Sequence, residues 1–170
     1  GQIRRQRQMC IRDSLNTDKI VAGNIGSQKR MDYTMIGDGV NLAARLESAC
    51  KQYNARILIS DFTFKKLKGT YRIRNIDDVV VKGKTEPIGV YEVLDYHNDE
   101  TFPNLMDVVN HFNEGRKKYK SGDFKNAIDS FNECLKGNKN DILSKTYIER
   151  CNQLLIDNPK RLGWSLGYEK

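Results

Sequence analysis

The stretch Tyr33-Thr34-Met35-Ile36-Gly37-Asp38-Gly39-Val40-Asn41-Leu42-Ala43-Ala44-Arg45-Leu46-Glu47-Ser48 changes periodicity part-way along. A β-favouring run, Asp32 to Ile36, breaks at Gly37-Asp38-Gly39, a tight turn that offers Asp38 as an N-cap. From Val40 to Tyr53 the residues Leu42, Leu46, Ala49, Cys50 and Tyr53 recur on one side of a helix. Asn41 and Arg45 fall on the other side. Their (i, i+4) spacing puts a carboxamide and a guanidinium on adjacent turns of one face, within reach of a single bound group. The helix N-terminus beside them presents free N–H groups and the positive end of a dipole, which favours polyphosphate.

Upstream, Leu15 to Asp18 reads as a strand end and a turn, and Lys19 to Asn24 as the next strand. Gly23 and Gly26 lack the spacing of a phosphate-binding loop and read as a turn or bulge. Downstream, Ala55 to Ser60 predicts a buried strand, followed by a short helix capped by Ser60 or Asp61, running through Leu67 and ended by Gly69. Tyr71 to Val81 and Gly89 to Leu94 alternate as an antiparallel pair. Strands interleaved with helices predict an α+β fold with helices packed on a sheet.

Three segments, Val21-Ala22-Gly23-Asn24-Ile25-Gly26-Ser27, Arg30 to Asp38 and Val40 to Glu47, together resemble the C-terminal half of a class III adenylate/guanylate cyclase catalytic domain. The resemblance implies a partial ferredoxin-like cyclase domain over residues 15–96. It also implies an adenylate cyclase, converting ATP to 3′,5′-cyclic AMP and pyrophosphate, in which Arg45 is the transition-state arginine and Asn41 holds the ribose. Arg45 suits that task because a guanidinium is permanently charged and donates two parallel hydrogen bonds to phosphate oxygens. Lys82, in Val81-Lys82-Gly83-Lys84, matches the lysine on the terminal phosphates, and Thr34 the base-selecting position. A hydroxyl accepts or donates, so Thr34 is compatible with adenine without excluding guanine. Guanylate cyclase, or a non-catalytic cyclase-like interaction module, are the alternatives.

The family's two metal-binding aspartates belong to a Phe-x-Asp-Ile segment that this sequence does not contain. Mg2+ or Mn2+ is therefore expected to be held by residues outside the chain, which is expected to be an inactive fragment on its own. A homodimer through the cyclase domain follows from the same resemblance, since the family forms its sites between two catalytic domains.

Residues 97–104 read as a polar linker. Phe112, Gly115, Tyr119, Gly122-Asp123-Phe124, Ala127, Phe131 and Leu135 then give two amphipathic helices joined by a Gly-Asp turn, and Ile142 to Ile156 a third. The spacing of this region, 105–157, resembles one tetratricopeptide-like hairpin plus one helix, with Cys134 where that pattern prefers Ala. A single repeat cannot bury its own face, so it is expected to dock on the cyclase domain or on a dimer partner, and a protein partner for the helical tail is a further expectation. Trp164 and Tyr168, in the tail 158–170, are candidate anchors.

Composition narrows the function classes. The net charge of +7 owes much to Arg4, Arg5, Arg7 and Arg12, and the other basic residues are interspersed with acidic ones without an aromatic-rich stripe, which argues against nucleic acid. Residues 1–14 read as a non-native or linker segment, because Met9-Cys10-Ile11-Arg12-Asp13-Ser14 resembles a translated end sequence from DNA library preparation. Cys10, Cys50, Cys134 and Cys151 form no metal-ligand pattern and read as reduced thiols. No apolar run is long enough to span a bilayer, and a cytoplasmic location is expected, including as the cytoplasmic part of a membrane-anchored protein.

Overall fold

The computed structural model describes residues 12–27, 30–80 and 85–157. Four strands, β1 (Asp13–Leu15), β4 (Ile57–Ser60), β5 (Ile73–Val79) and β6 (Ile88–Val93), make a sheet in the order β1-β4-β6-β5. β1 runs parallel to β4, and the other pairs are antiparallel. β2 (Val21–Ser27) and β3 (Arg30–Ile36) form a separate antiparallel hairpin. The mixed α+β class expected from the sequence is what the chain adopts.

Several boundaries differ from expectation. β1 ends at Leu15, where a strand end is expected, and takes in Asp13 and Ser14 of the segment read as non-native or linker, which pair with Ile57 and Leu58 of β4. β2 spans Val21–Ser27 rather than Lys19 to Asn24 and keeps an unbroken register through Gly23 and Gly26, with Gly23 opposite Thr34, so these glycines lie within a strand rather than at a turn or bulge.

α1 (Asp38–Tyr53) covers the inner face of the sheet at its β1 end, burying Leu42, Leu46, Ala49, Cys50 and Tyr53 as its periodicity requires. Ser14 Oγ donates to the Ala43 carbonyl at 2.6 Å, and Cys50 Sγ to the Asp13 carbonyl at 3.2 Å. α2 (Asp61–Phe64) is capped by Ser60, whose hydroxyl accepts from the Thr63 N–H, and stops short of the expected Leu67. Phe64 stacks on Tyr91 with ring centroids 4.4 Å apart.

α3 (Leu105–Lys120), α4 (Phe124–Gly137) and α5 (Ile142–Asp157) follow the expected pattern. Gly122, at φ +82°, makes the turn, and Asp123 caps α4. α3 and α4 approach so closely that a Cβ at Gly115 would stand 2.6 Å from Phe131. α3 and α5 pack on β5 at the other end of the inner face and α4 packs on both of them, and the buried residues of the three helices form one continuous cluster with those of α1 and the sheet. The helical region therefore docks on its own chain. Among the described residues no helix is long and apolar enough to cross a membrane.

β5 carries the feature that makes this docking specific. Asn75 pairs with Tyr91 and Asp77 with the adjacent Val90, which leaves Ile76 as the extra residue of a β-bulge. The bulge restarts the alternation, so Asp77 shares the inner face with Arg74 instead of pointing to the other side. The Ile76 carbonyl accepts from the Tyr147 hydroxyl of α5 at 2.6 Å.

Candidate active site

β3 ends at Ile36 and hands the chain to α1 through Gly37, whose φ of +153° belongs to glycine. Gly37 is the N-cap, with no side chain to satisfy the first-turn amides, and its carbonyl accepts from the N–H groups of Val40 and Asn41 at 3.2 and 3.3 Å. Asp38, expected as the cap, is instead the first helical residue. Its carboxylate lies in the first turn, where the helix dipole favours it. Gly39 is buried against the β1–β2 connection, where a Cβ would come within 2.5 Å of Asp18 Cβ. Asn16 Nδ2 donates to the Gly39 carbonyl at 2.9 Å, and Asn16 Oδ1 accepts from Ser60 Oγ at 2.5 Å. The first turn of α1 is thereby tied to the sheet.

On this anchored helix Asn41 and Arg45 are both exposed, on the face opposite the buried stripe. Thr34 is half-buried near the end of β3, the strand that leads into α1. Lys82 lies outside the described residues, as do Trp164 and Tyr168. The structure thus brings Asn41 and Arg45 together on one face and places Thr34 on the preceding strand.

The far end of α1 is held by charged groups that the sequence pattern did not single out. Tyr53 Oη donates to Asp77 Oδ2 at 2.5 Å, and Arg150 Nη1 of α5 donates to the same oxygen at 2.9 Å. Burial pushes the Tyr53 phenol well above its ordinary range, and the Asp77 charge adds to the rise. Beside them Arg74 donates to Glu92 at 2.7 Å and to Asp141, at the start of α5, at 2.9 Å. Burial works against the Arg74 charge, but the two carboxylates outweigh it and raise its pKa further. The one available signal was the run Asn75-Ile76-Asp77-Asp78, where strict alternation fails inside an otherwise alternating strand.

Among the described residues no three His, Cys, Asp or Glu side chains stand close enough to hold a metal ion. The open face of α1 offers a neutral carboxamide and a cation, neither suited to Mg2+ or Mn2+. The described residues therefore do not fit the divalent ions that class III cyclases use. Cys50, Cys134 and Cys151 are free and buried. Burial raises the first two thiols to about 11 and the third to about 12, so they are protonated and unreactive at neutral pH.

Residues 2–95 match the family described as the adenylate and guanylate cyclase catalytic domain. The chain belongs to this family. Within the cyclase family it is 38% identical over 143 residues to the terminal-differentiation-specific adenylate cyclase of Dictyostelium discoideum, covering 82% of this chain and 7% of that protein. It is 44% identical over 77 residues to an adenylate cyclase of Anabaena cylindrica, covering 44% and 15% respectively. Among solved structures, the adenylyl cyclase CyaB from P. aeruginosa aligns with 47% of this chain and 40% of its own, at 40% identity and a TM-score of 0.38. This cyclase chain thus spans a small part of the length of the curated relatives it matches. Coverage of 82% reaches beyond residue 95, so the likeness to the Dictyostelium protein continues into the helices.

Proposed function

We propose that the chain supplies one half of the catalytic centre of an adenylate cyclase that converts ATP to 3′,5′-cyclic AMP and pyrophosphate. The observation that carries this reading is the exposed pair Asn41 and Arg45 on one face of a helix whose opposite face is buried. In cyclisation the ribose 3′-hydroxyl attacks the α-phosphorus and pyrophosphate leaves. Such a reaction is accelerated mainly by positioning and by neutralising charge on the transferring group. Arg45 donates to the α-phosphate oxygens as that charge builds. Asn41, one turn earlier, hydrogen-bonds the ribose and holds its hydroxyl in line. Thr34 reads the base, and Lys82 contacts the terminal phosphates.

Mg2+ or Mn2+ and its carboxylate ligands come from residues outside those described, and the site closes between two copies of the protein. The short spans of the curated relatives that this chain covers support its being a fragment, inactive by itself. Exposed Ile20, Val21, Met35 and Ile36, around the hairpin, support a homodimer through this end of the domain. The helices at residues 105–157 are a tetratricopeptide-like hairpin with one added helix, whose outer surface is the place for a partner protein.

The test is turnover by the full-length protein. Arg45→Ala is expected to lower kcat by about 10² to 10³ with unfolding unchanged, as for loss of one transition-state donor. Normal turnover by that variant would reject the assignment. ATP is expected to exceed GTP in kcat/KM; the reverse order would make the protein a guanylate cyclase, and no cyclic product from either would leave a binding module.

A further inference from the structure

Asp77 joins three elements at one buried point. Its Oδ2 accepts from Tyr53, the last residue of α1, and from Arg150 of α5, while Arg116 Nη1 of α3 stands 3.8 Å from Oδ1. The Arg150 guanidinium also lies over the rings of Tyr53 and Tyr147, at 5.7 and 5.0 Å from their centroids. Both cations that neutralise this carboxylate come from the helical region. Were they withdrawn, Asp77 would be a buried charge facing a phenol, and it would have to take up a proton or turn out to water. Protonation weakens the hold on Tyr53, and rotation out to water breaks it.

We propose that the helical region is a positioning element for α1: Arg150, acting through Asp77 and Tyr53, holds the helix that presents Asn41 and Arg45 in its working pose. The proposal rests on the catalytic reading of those two residues. An α-helix rises about 1.5 Å per residue, so Arg45 lies about 12 Å along the axis from Tyr53. A tilt of about 5° about Tyr53 carries Arg45 through about 1 Å, and a misplacement of that size costs about 10²-fold in rate. The other end of α1 is tied by Asn16 and Ser14, so its pose depends on both attachments. Tyr53, Asp77 and Arg150 touch no reacting atom and are positioning residues. A partner that pulls α5 away from β5 would lower turnover without entering the site.

Two variants test this. Tyr53→Phe removes one oxygen, keeps the ring in the core and leaves the Asp77–Arg150 pair intact. In the chain, its amides in the last turn of α1 are expected to exchange about tenfold faster while those of α3 to α5 stay protected. In the full-length enzyme, at a temperature where circular dichroism shows it fully folded, kcat is expected to fall about tenfold with KM for ATP unchanged. Arg150→Gln is expected to loosen α5 as well and to lower kcat at least as far. Unchanged kcat in Tyr53→Phe overturns the proposal, whatever the exchange shows and whether or not Arg150→Gln folds. Should Tyr53→Phe slow turnover while Arg45→Ala does not, the coupling stands and the role given to Arg45 falls.

Discussion

In the β2–β3 hairpin Val21, Met35 and Ile36 are 70%, 56% and 54% exposed, whereas at the seam under α5 the charged residues Arg74, Asp77, Glu92 and Asp141 are 3%, 5%, 4% and 5% exposed. Hydropathy alone would sort these two regions the other way round. A buried charge is tolerated where its counter-charge and hydrogen-bond partners arrive with it, and each carboxylate at the seam meets a guanidinium. Apolar strand residues stay exposed where no surface among the described residues covers them. The contrast teaches that burial here follows the partner that is present rather than the residue's own preference.

The contrast can be broken most directly at Arg74. Arg74→Ala leaves Glu92 and Asp141 as neighbouring buried carboxylates and removes a guanidinium lying 4.9 Å over the Phe112 ring. A loss of about 3 to 5 kcal/mol in urea unfolding is expected, and a loss below about 1 would show that the seam's charges are incidental. Tyr147→Phe comes next. It strands the Ile76 carbonyl at the bulge and is expected to cost about 1 to 3 kcal/mol by the same measurement.

The hairpin should answer differently. Met35→Ser, at an exposed apolar position, is expected to change the unfolding free energy of the chain by no more than about 0.5 kcal/mol. A larger loss that does not vary with protein concentration would mean that this face is covered within the chain after all, whereas one that does would mark it as the face between two copies. The smallest effect concerns His97, at the edge of the seam, where burial and then the charges of Arg56, Arg74 and Arg72 lower its pKa below 6.5. Its folded pKa lies under the unfolded one, so its contribution is complete above pH 6.5 and declines as pH falls below that value. A midpoint below 6.5 is expected from the ring resonances in an NMR titration; a midpoint above it would place the ring in a more hydrated, less cationic setting.

Much of this was legible in the residues themselves. Leu42, Leu46, Ala49, Cys50 and Tyr53 mark the buried stripe of α1 at helical spacing, so Asn41 and Arg45 are found on the open face by elimination. Gly122-Asp123 marks the turn between α3 and α4, and Gly115 their close approach. Capping was less legible. Gly37-Asp38-Gly39 offered an obvious acidic cap, yet the backbone turned one residue earlier, at Gly37. Lys82 was read from a motif, and its geometry falls outside the described residues.

What the sequence by itself determined is local: the periodicity of each helix, the strand-to-helix switch at Gly37, and the juxtaposition of a carboxamide and a guanidinium one turn apart. These follow from spacings of a few residues, over which backbone geometry is fixed by the chain. Only the tertiary structure decided that Arg74 would meet Asp141 and Asp77 would meet Arg150, pairs separated by 67 and 73 positions. One unpaired residue in β5 turns Asp77 inward, and no local preference announces where its counter-charge will come from. The physical reason is that a charge's burial depends on what the fold brings to it, whereas a helix face depends only on its own repeat.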